Sequence, residues 1–360
     1  MIRRFAERLL HTLARDDEDL VCSPAGLWQG LAVMAAGARA ETADELRELL
    51  GVAGPVAAEA VRELAVRCEP ALAAAVWSRK PMREDFRARL PHVGYGGLDD
   101  AAAIDAWVHG ATSGLVERLP LAPDPDTSFL LVSAFGVREA WATPFEDEDT
   151  EYRPFTDARG NRDRVPMMTR KVPAAGAWAV GGTRVVELGC VRPELSVRIV
   201  LGEPGETAAR VLAAAWAPAT ERTPLGAGAD GVRIDVPRLS LRACLSLTEA
   251  LAELGLEWST TELADFSRMF EEPVVLRAVL QEALIEVSEA GFEAASVTQL
   301  MDWLGSPALD SPGTLRISFD RPFGMVLLAG EELPLVTAWQ AGIPGEAGIP
   351  GEAEAGPAHL

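Results

Sequence analysis

The sequence predicts an α+β fold built on large, mostly antiparallel sheets. Helical periodicity fills the first third of the chain, and strand-like runs crowd the remainder from Ser128 onward. No shift of composition separates the two. With 360 residues, 48% of them hydrophobic, the chain has material for one large core or two ordinary ones. The missing boundary favours a single domain, running to about residue 341.

The elements come in order along the chain. "MIRRFAERLLHTLARDDEDL" sets Phe5, Leu9, Leu10 and Leu13 at helical spacing. It reads as an amphipathic helix of the fold, because a signal peptide needs an unbroken apolar run. "SPAGLWQGLAVMAAGARAETADELRELLG" gives a long buried helix from Pro24, a good first-turn residue after a Ser23 N-cap. A second helix start at Thr42-Ala43-Asp44-Glu45 leads to a stop at Gly51. "AAAIDAWVHGATSGLVERLP" is another amphipathic helix, with Ile104, Trp107 and Val108 inward. Strands are then expected at "SFLLVSAFGV", "RVVELGC", "LSVRIVL", "GVRIDVP", "VVLRAVLQEALIEV", "LRISFDRPF" and "GMVLLAG". Between them "SLTEALAELGL" (246–256) reads as a capped helix.

Composition narrows the function. A net charge of −21 argues against a phosphate-binding surface, so no nucleic-acid partner is expected. Lys80 and Lys171 are the only lysines and Asn161 the only asparagine, a bias of genome composition that carries no functional weight. Cys22, Cys68, Cys190 and Cys244 are scattered, with no C-x-x-C, and read as buried small hydrophobes. There is no 18-residue apolar run, so no membrane span is expected. A cytoplasmic location is the expectation, with an extracellular one as the alternative. Residues 342–360 stand apart as a Gly/Pro-rich tail in which GIPGEA is written twice. Four triplets are too few for a collagen helix, so the tail reads as disordered.

Enzyme motifs fail one by one. "GAGADG" (226–231) has the dinucleotide-binding pattern, but a strand-like "VRIDVP" comes after it and no helix N-terminus is available for a pyrophosphate. No H-E-x-x-H, P-loop lysine or G-x-S-x-G occurs, and His11, His92, His109 and His359 sit in helix, post-proline or tail contexts. Neither a catalytic residue, a metal nor a cofactor is assigned.

Taken together, the segments resemble the serpins, of a bacterial, intracellular-looking type. "VCSPAGLWQGLAVMAAGARAETADEL" is similar to the family's Ser-Pro helix region, and "AIDAWVHGATSGLVERLP" to its helix F. "LLVSAFGVREAWATPFEDEDTEYRPF" and "VPMMTRK" resemble the third strand of sheet A and the segment next to it in the chain. "IDVPRLSLRACLSLTEALAELGL", "ADFSRM", "ALIEVSEAGFEAASVT" and "FDRPFGMVLL" complete the match in order. The resemblance implies one domain over 1–341 with a large central sheet, further sheets and about eight or nine helices. It also implies an exposed reactive-centre loop at about 289–313.

By this resemblance the chain is expected to be a suicide inhibitor of a serine or cysteine protease. A target cleaves the loop, and the freed segment inserts into sheet A before the acyl-enzyme hydrolyses. The alternative is a non-inhibitory relative, cleaved as a substrate or acting as a binding module. A monomer is expected in either case. Glu289 would open the hinge and Gly291 would give backbone freedom at the pivot. Ala294, Ser296 and Thr298 would enter the sheet on one face, with Glu293 and Ala295 on the other. Phe292 shares the inserting face where the family has a small residue, and Asp302 falls on it too. Overpacking costs roughly 1–3 kcal/mol, so Phe292 is expected to slow insertion. Counting from Glu289 puts the scissile bond at Gly305-Ser306, suited to an elastase-like pocket. Leu304 is the alternative, for a chymotrypsin- or subtilisin-like one. Of the polar cluster beneath the family's opening sheet, Ser23 is kept, Gly26 takes the place of a second serine, Ser133 that of an Asn and Leu280 that of a His. Trp141 keeps the tryptophan at the top of the sheet.

Overall fold

Local rules place the helices. The computed structural model describes residues 1–345 apart from 69–71, 113, 115–117, 119–126, 138, 226–230, 248, 249, 277, 278 and 293–314. In it, α1 (Ile2–Leu13) buries Phe5, Ala6, Leu9 and Leu10. The Ser23 hydroxyl accepts the Gly26 N–H at 3.0 Å and opens α2 (Pro24–Gly37), every residue of which is buried. A helix apolar all round belongs at the centre of a fold. α3 (Ala40–Leu50) stops at Gly51, whose φ of 81° is the left-handed cap expected there. α4 (Gly54–Arg67) and α5 (Glu84–Arg89) come next, and the Asp100 carboxylate caps α6 (Ala101–Ala111). Ile104 and Val108 of α6 are buried, while Trp107 is half-buried and meets Trp77 edge-on at 6.4 Å. α7 (Ala208–Ala213) and α8 (Ala250–Glu253) are short. The helix expected over 246–256 is therefore shorter than its sequence pattern, and Ser246 belongs to the strand before it.

The strands are β1 (Leu20–Cys22), β2 (Leu72–Ser78), β3 (Gly94–Gly97), β4 (Phe129–Phe135), β5 (Glu139–Ala140) and β6 (Thr150–Thr156). Then come β7 (Arg162–Val172), β8 (Ala177–Val180), β9 (Thr183–Gly189), β10 (Leu195–Leu201), β11 (Thr223–Pro224) and β12 (Val232–Pro237). The last six are β13 (Leu239–Ser246), β14 (Val279–Val287), β15 (Gly291–Phe292), β16 (Leu315–Ser318), β17 (Phe323–Ala329) and β18 (Leu333–Gln340). They form three sheets. The large sheet runs β3-β2-β4-β14-β15-β5, with β13 on the other edge of β14. A second runs β1-β18-β17-β10-β9-β8-β11, and a four-stranded one runs β16-β12-β7-β6. Pairing is antiparallel except for β2 with β3, β4 with β14 and β12 with β16.

α2 touches β18 of the second sheet as well as β2 and β4 of the large one, so the apolar helix fills the space between the two sheets. Cys22, Cys68 and Cys190 are buried and free, and burial raises each thiol, to about 11, 11 and 12. The two ends of the chain are tied together. The Asp19 carboxylate accepts the N–H groups of Ala341 (2.7 Å) and Gly342 (2.8 Å), and Pro344 is buried. The first GIPGEA thus begins on the folded body, while residues 346–360 lie outside the described residues. "GAGADG" lies outside them up to residue 230, and the strand expected after it is β12. Among the described residues no helix is long and apolar enough to cross a membrane.

Candidate functional site

The large sheet is split along its centre. At its lower end β14 pairs directly with β4, from Val279 opposite Leu131 to Glu282 opposite Ala134. β5 comes three residues after β4, and here the two-residue β15 stands between it and β14. Phe292 lies opposite Val287 on one side and Glu139 on the other, and Gly291 opposite Ala140. Between the two ladders Ala283–Glu286 pair only with β13 among the described residues. Among the described residues the result is a slot, closed below and entered from above by β15, with an unpaired strand edge along it.

The turn that carries the chain from β14 into β15 is held from several sides. Ser288 N–H donates to the Gly291 carbonyl at 2.9 Å. Trp141 donates its indole Nε1 to the Ser288 carbonyl (2.9 Å) and its backbone N–H to that of Ala290 (3.1 Å). Phe145 N–H reaches the Glu289 carbonyl at 2.9 Å. The Glu289 carboxylate, only 7% exposed, accepts Arg238 Nε at 2.8 and 2.9 Å and the Thr150 hydroxyl at 2.6 Å. Burial pushes this carboxyl up, but the hydrogen bonds from Arg238 and Thr150 outweigh it and hold the pKa below the usual value. The same bond raises the Arg238 pKa. The Arg170 guanidinium lies 4.9 Å above the Phe145 ring, and burial lowers its pKa to about 10.

Gly291 is a glycine for a different reason from the one expected. Its φ is not positive, so backbone freedom is not what this state uses. A Cβ there would stand 2.4 Å from the Glu139 carbonyl oxygen, so β15 fits beside β5 only without a side chain. Phe292, expected to overpack the sheet and slow insertion, is 2% exposed and belongs to the main core cluster with Trp141, Phe145 and Val287. Beside it on the same face, Glu139 is buried and holds Arg192 by its backbone N–H and its Nε.

The polar cluster lies lower, where β14 still meets β4. Its centre is Gln281, which is fully buried. Its Oε1 accepts the Ser23 N–H at 2.7 Å, and its Nε2 donates to the Ser23 carbonyl (3.0 Å) and the Ser133 hydroxyl (3.3 Å). The Ser23 hydroxyl in turn donates to the Leu335 carbonyl at 2.6 Å. Leu280 takes no part in this cluster. Successive strand residues alternate faces, so Leu280 points away and packs with Trp77, Ile104 and Val132 on the other side. A Cβ at Gly26 would carry its side chain into Ser133 Oγ, 2.5 Å away, so glycine leaves room for this network.

The structure thus brings Ser23 and Ser133 together, sets Trp141 over the hinge turn, and gathers Glu289, Gly291 and Phe292 at the upper end of the slot. Glu293, Ala294, Ala295, Ser296, Thr298, Asp302, Leu304, Gly305 and Ser306 lie outside the described residues. Sequence reasoning missed Gln281, Arg238, Thr150 and the Glu139–Arg192 pair. For Gln281 a signal existed: Val279, Gln281, Ala283, Ile285 and Val287 alternate onto one face, and Gln281 is its lone polar member. Arg238, Thr150 and Arg192 come from distant segments, and nothing local marks them as partners.

The comparisons with known proteins agree with this geometry. A family model described as Serpin (serine protease inhibitor) matches residues 1–332. Serpin-Z7 of Hordeum vulgare is 25% identical, over 92% of this chain and 91% of its own length. Iripin-3 of Ixodes ricinus is 27% identical, over 85% and 84%. Among solved structures, the thermophilic serpin tengpin in its native state superposes with a TM-score of 0.79 at 18% identity, covering 95% of this chain and 93% of that one. Human thyroxine-binding globulin complexed with thyroxine gives 0.78 at 20% identity, over 96% and 98%.

Proposed function

The chain belongs to the serpin family, and from that premise we propose that it is a suicide inhibitor of a serine or cysteine protease. The protease cleaves the segment between β15 and β16, and the freed strand extends β15 down the slot between β14 and β4. The observation that carries this reading is the slot itself: among the described residues Ala283–Glu286 pair only with β13, and Gly291 and Phe292 already stand between β14 and β5 above them. A strand filling it would complete the hydrogen-bond ladder of the large sheet and bury further apolar surface. Small residues at Ala294, Ser296 and Thr298 suit a strand whose alternate side chains must enter the sheet's core. The scissile bond is assigned to Gly305-Ser306, with Leu304 as the alternative, and elastase-, chymotrypsin- or subtilisin-like proteases as targets. The protein itself carries out no catalytic turnover.

A second reading has one observation in its favour. A thyroxine-binding globulin shares this fold, so the architecture alone does not entail protease inhibition. Incubation with a protease panel on a denaturing gel separates the two. A covalent complex with one protease supports the inhibitor, and clean cleavage by every protease supports a substrate or binding module. Mass spectrometry of the released C-terminal fragment tests the bond: fragments starting at Ser306 or Gly305 support the assignment, and cleavage only beyond Asp310 overturns it.

A further inference from the structure

The four-stranded sheet differs in charge from the rest of the molecule. Its strands carry seven basic residues against three acidic ones, in a chain whose net charge is −21. Three of the cations stand in one row. Lys171 of β7 lies opposite Arg233 of β12, and Arg233 opposite Arg316 of β16. Neighbouring strands are about 4.8 Å apart and opposite residues share a face, so the three positions fall within about 10 Å. Like charges directly opposite one another destabilise a sheet. Asp235, two positions along β12, offsets part of this by accepting Arg316 at 2.6 and 2.8 Å, but it also holds Arg153. Lys171 is exposed and has no ion pair among the described residues. Its stem lies across Gly231, where a Cβ would stand 2.8 Å from Lys171 Cε.

The row lies one residue inside the end of β16 that begins at Leu315, with Val232 and Val172 level with it. We propose that Lys171, Arg233 and Arg316 form a docking surface for the target protease, whose own surface is acidic on the leaving-group side of its cleft. The proposal rests on the inhibitor reading given above and adds a second determinant of target choice to the scissile bond. Arg316 is ten residues beyond Ser306, at most about 36 Å of extended chain, so a protease seated on that bond has the row within reach. A cluster of charge speeds encounter with a complementary surface and steers it into register. A polyanion fits less well. Three cations make a short track, and a longer anionic chain would run onto the strongly acidic remainder of the molecule.

The test measures the rate constant for covalent-complex formation by the full chain. It uses pairs of serine proteases with the same primary specificity and opposite charge on the leaving-group side of the cleft. At low salt the unaltered chain should react about tenfold faster with the acidic member, and the gap should close towards about 0.5 M salt. Lys171→Glu should abolish the preference and Lys171→Ala should cut it to about threefold. Lys80→Ala, which breaks a pair with Glu272 outside this sheet, should leave it unchanged. Both Lys171 variants should unfold no lower than the parent, because a like-charge opposition is relieved. A preference that survives Lys171→Glu overturns the docking surface, while the covalent complexes keep the inhibitor reading standing. Lys171-dependent retention on a sulfated polysaccharide, with no preference between the proteases, assigns the row to a polyanion and also overturns it. No covalent complex with any protease overturns both.

Discussion

Gln281 shows how much rests on one side chain. Its amide is joined to the N-cap residue of α2 and to Ser133 of β4, the strand that β14 must leave if the sheet opens. Replacing it by leucine strands the Ser23 N–H in the core, and an unsatisfied buried donor costs about 1–3 kcal/mol. Gln281→Leu should therefore unfold several degrees lower and exchange the amides of β4 and β14 faster than those of the second sheet. Uniform acceleration across both sheets would deny it a local role. The carboxylates at the hinge and in the four-stranded sheet set the pH response. Glu289 and Asp235 are buried, yet hydrogen bonds from Arg238 and Thr150, and from Arg316 and Thr169, hold both pKa values below normal. Groups depressed in this way contribute stability fully above their unfolded values of about 4 and lose it as pH falls through the folded values. The unfolding temperature should hold from about pH 7 to about pH 5 and fall below about pH 4. Glu289→Gln should start lower at neutral pH and lose less on acidification; a parallel curve would mean that Glu289 is not linked to folding.

At the scale of elements, β15 is the most sensitive piece. With the Glu139 oxygen 2.4 Å from where a Cβ would stand, Gly291→Ala should expel the strand or push β5 aside. Exchange at residues 288–292 should rise, while the lower ladder at 279–282 stays protected. Unchanged exchange would show that β5 yields easily. Elements with strong local signals were legible in the sequence: the Ser23 cap, the Gly51 stop, and the alternation of β14 that leads into the hinge. The pre-inserted β15 was not, because its stability comes from β5 and from Trp141, Phe145 and Arg238, all far away in the chain. The assignment of Leu280 to the polar cluster failed by one position, and in a strand one position is the difference between the two faces. The glycine at 291 was foreseen, but its reason was steric and had to be seen in three dimensions.

At the scale of the whole molecule, the resemblance already implied one domain around a large sheet, and the comparisons place the chain in that family. The ends make a separate prediction. Because Asp19 binds the N–H groups of Ala341 and Gly342 and Pro344 is buried, truncation after Gly345 should leave the unfolding temperature unchanged. Truncation after Gln340 should lower it by several degrees. Equal values would show that the tether adds nothing. The central claim, that the slot receives the cleaved strand, is tested most directly by hydrogen exchange at Ala283–Glu286 before and after a single cut between residues 293 and 314. Those of these amides that point away from β13 should pass from faster exchange to the protection of a central strand, together with a rise in unfolding temperature. Exchange that stays fast after complete cleavage, with no rise in temperature, would contradict the account.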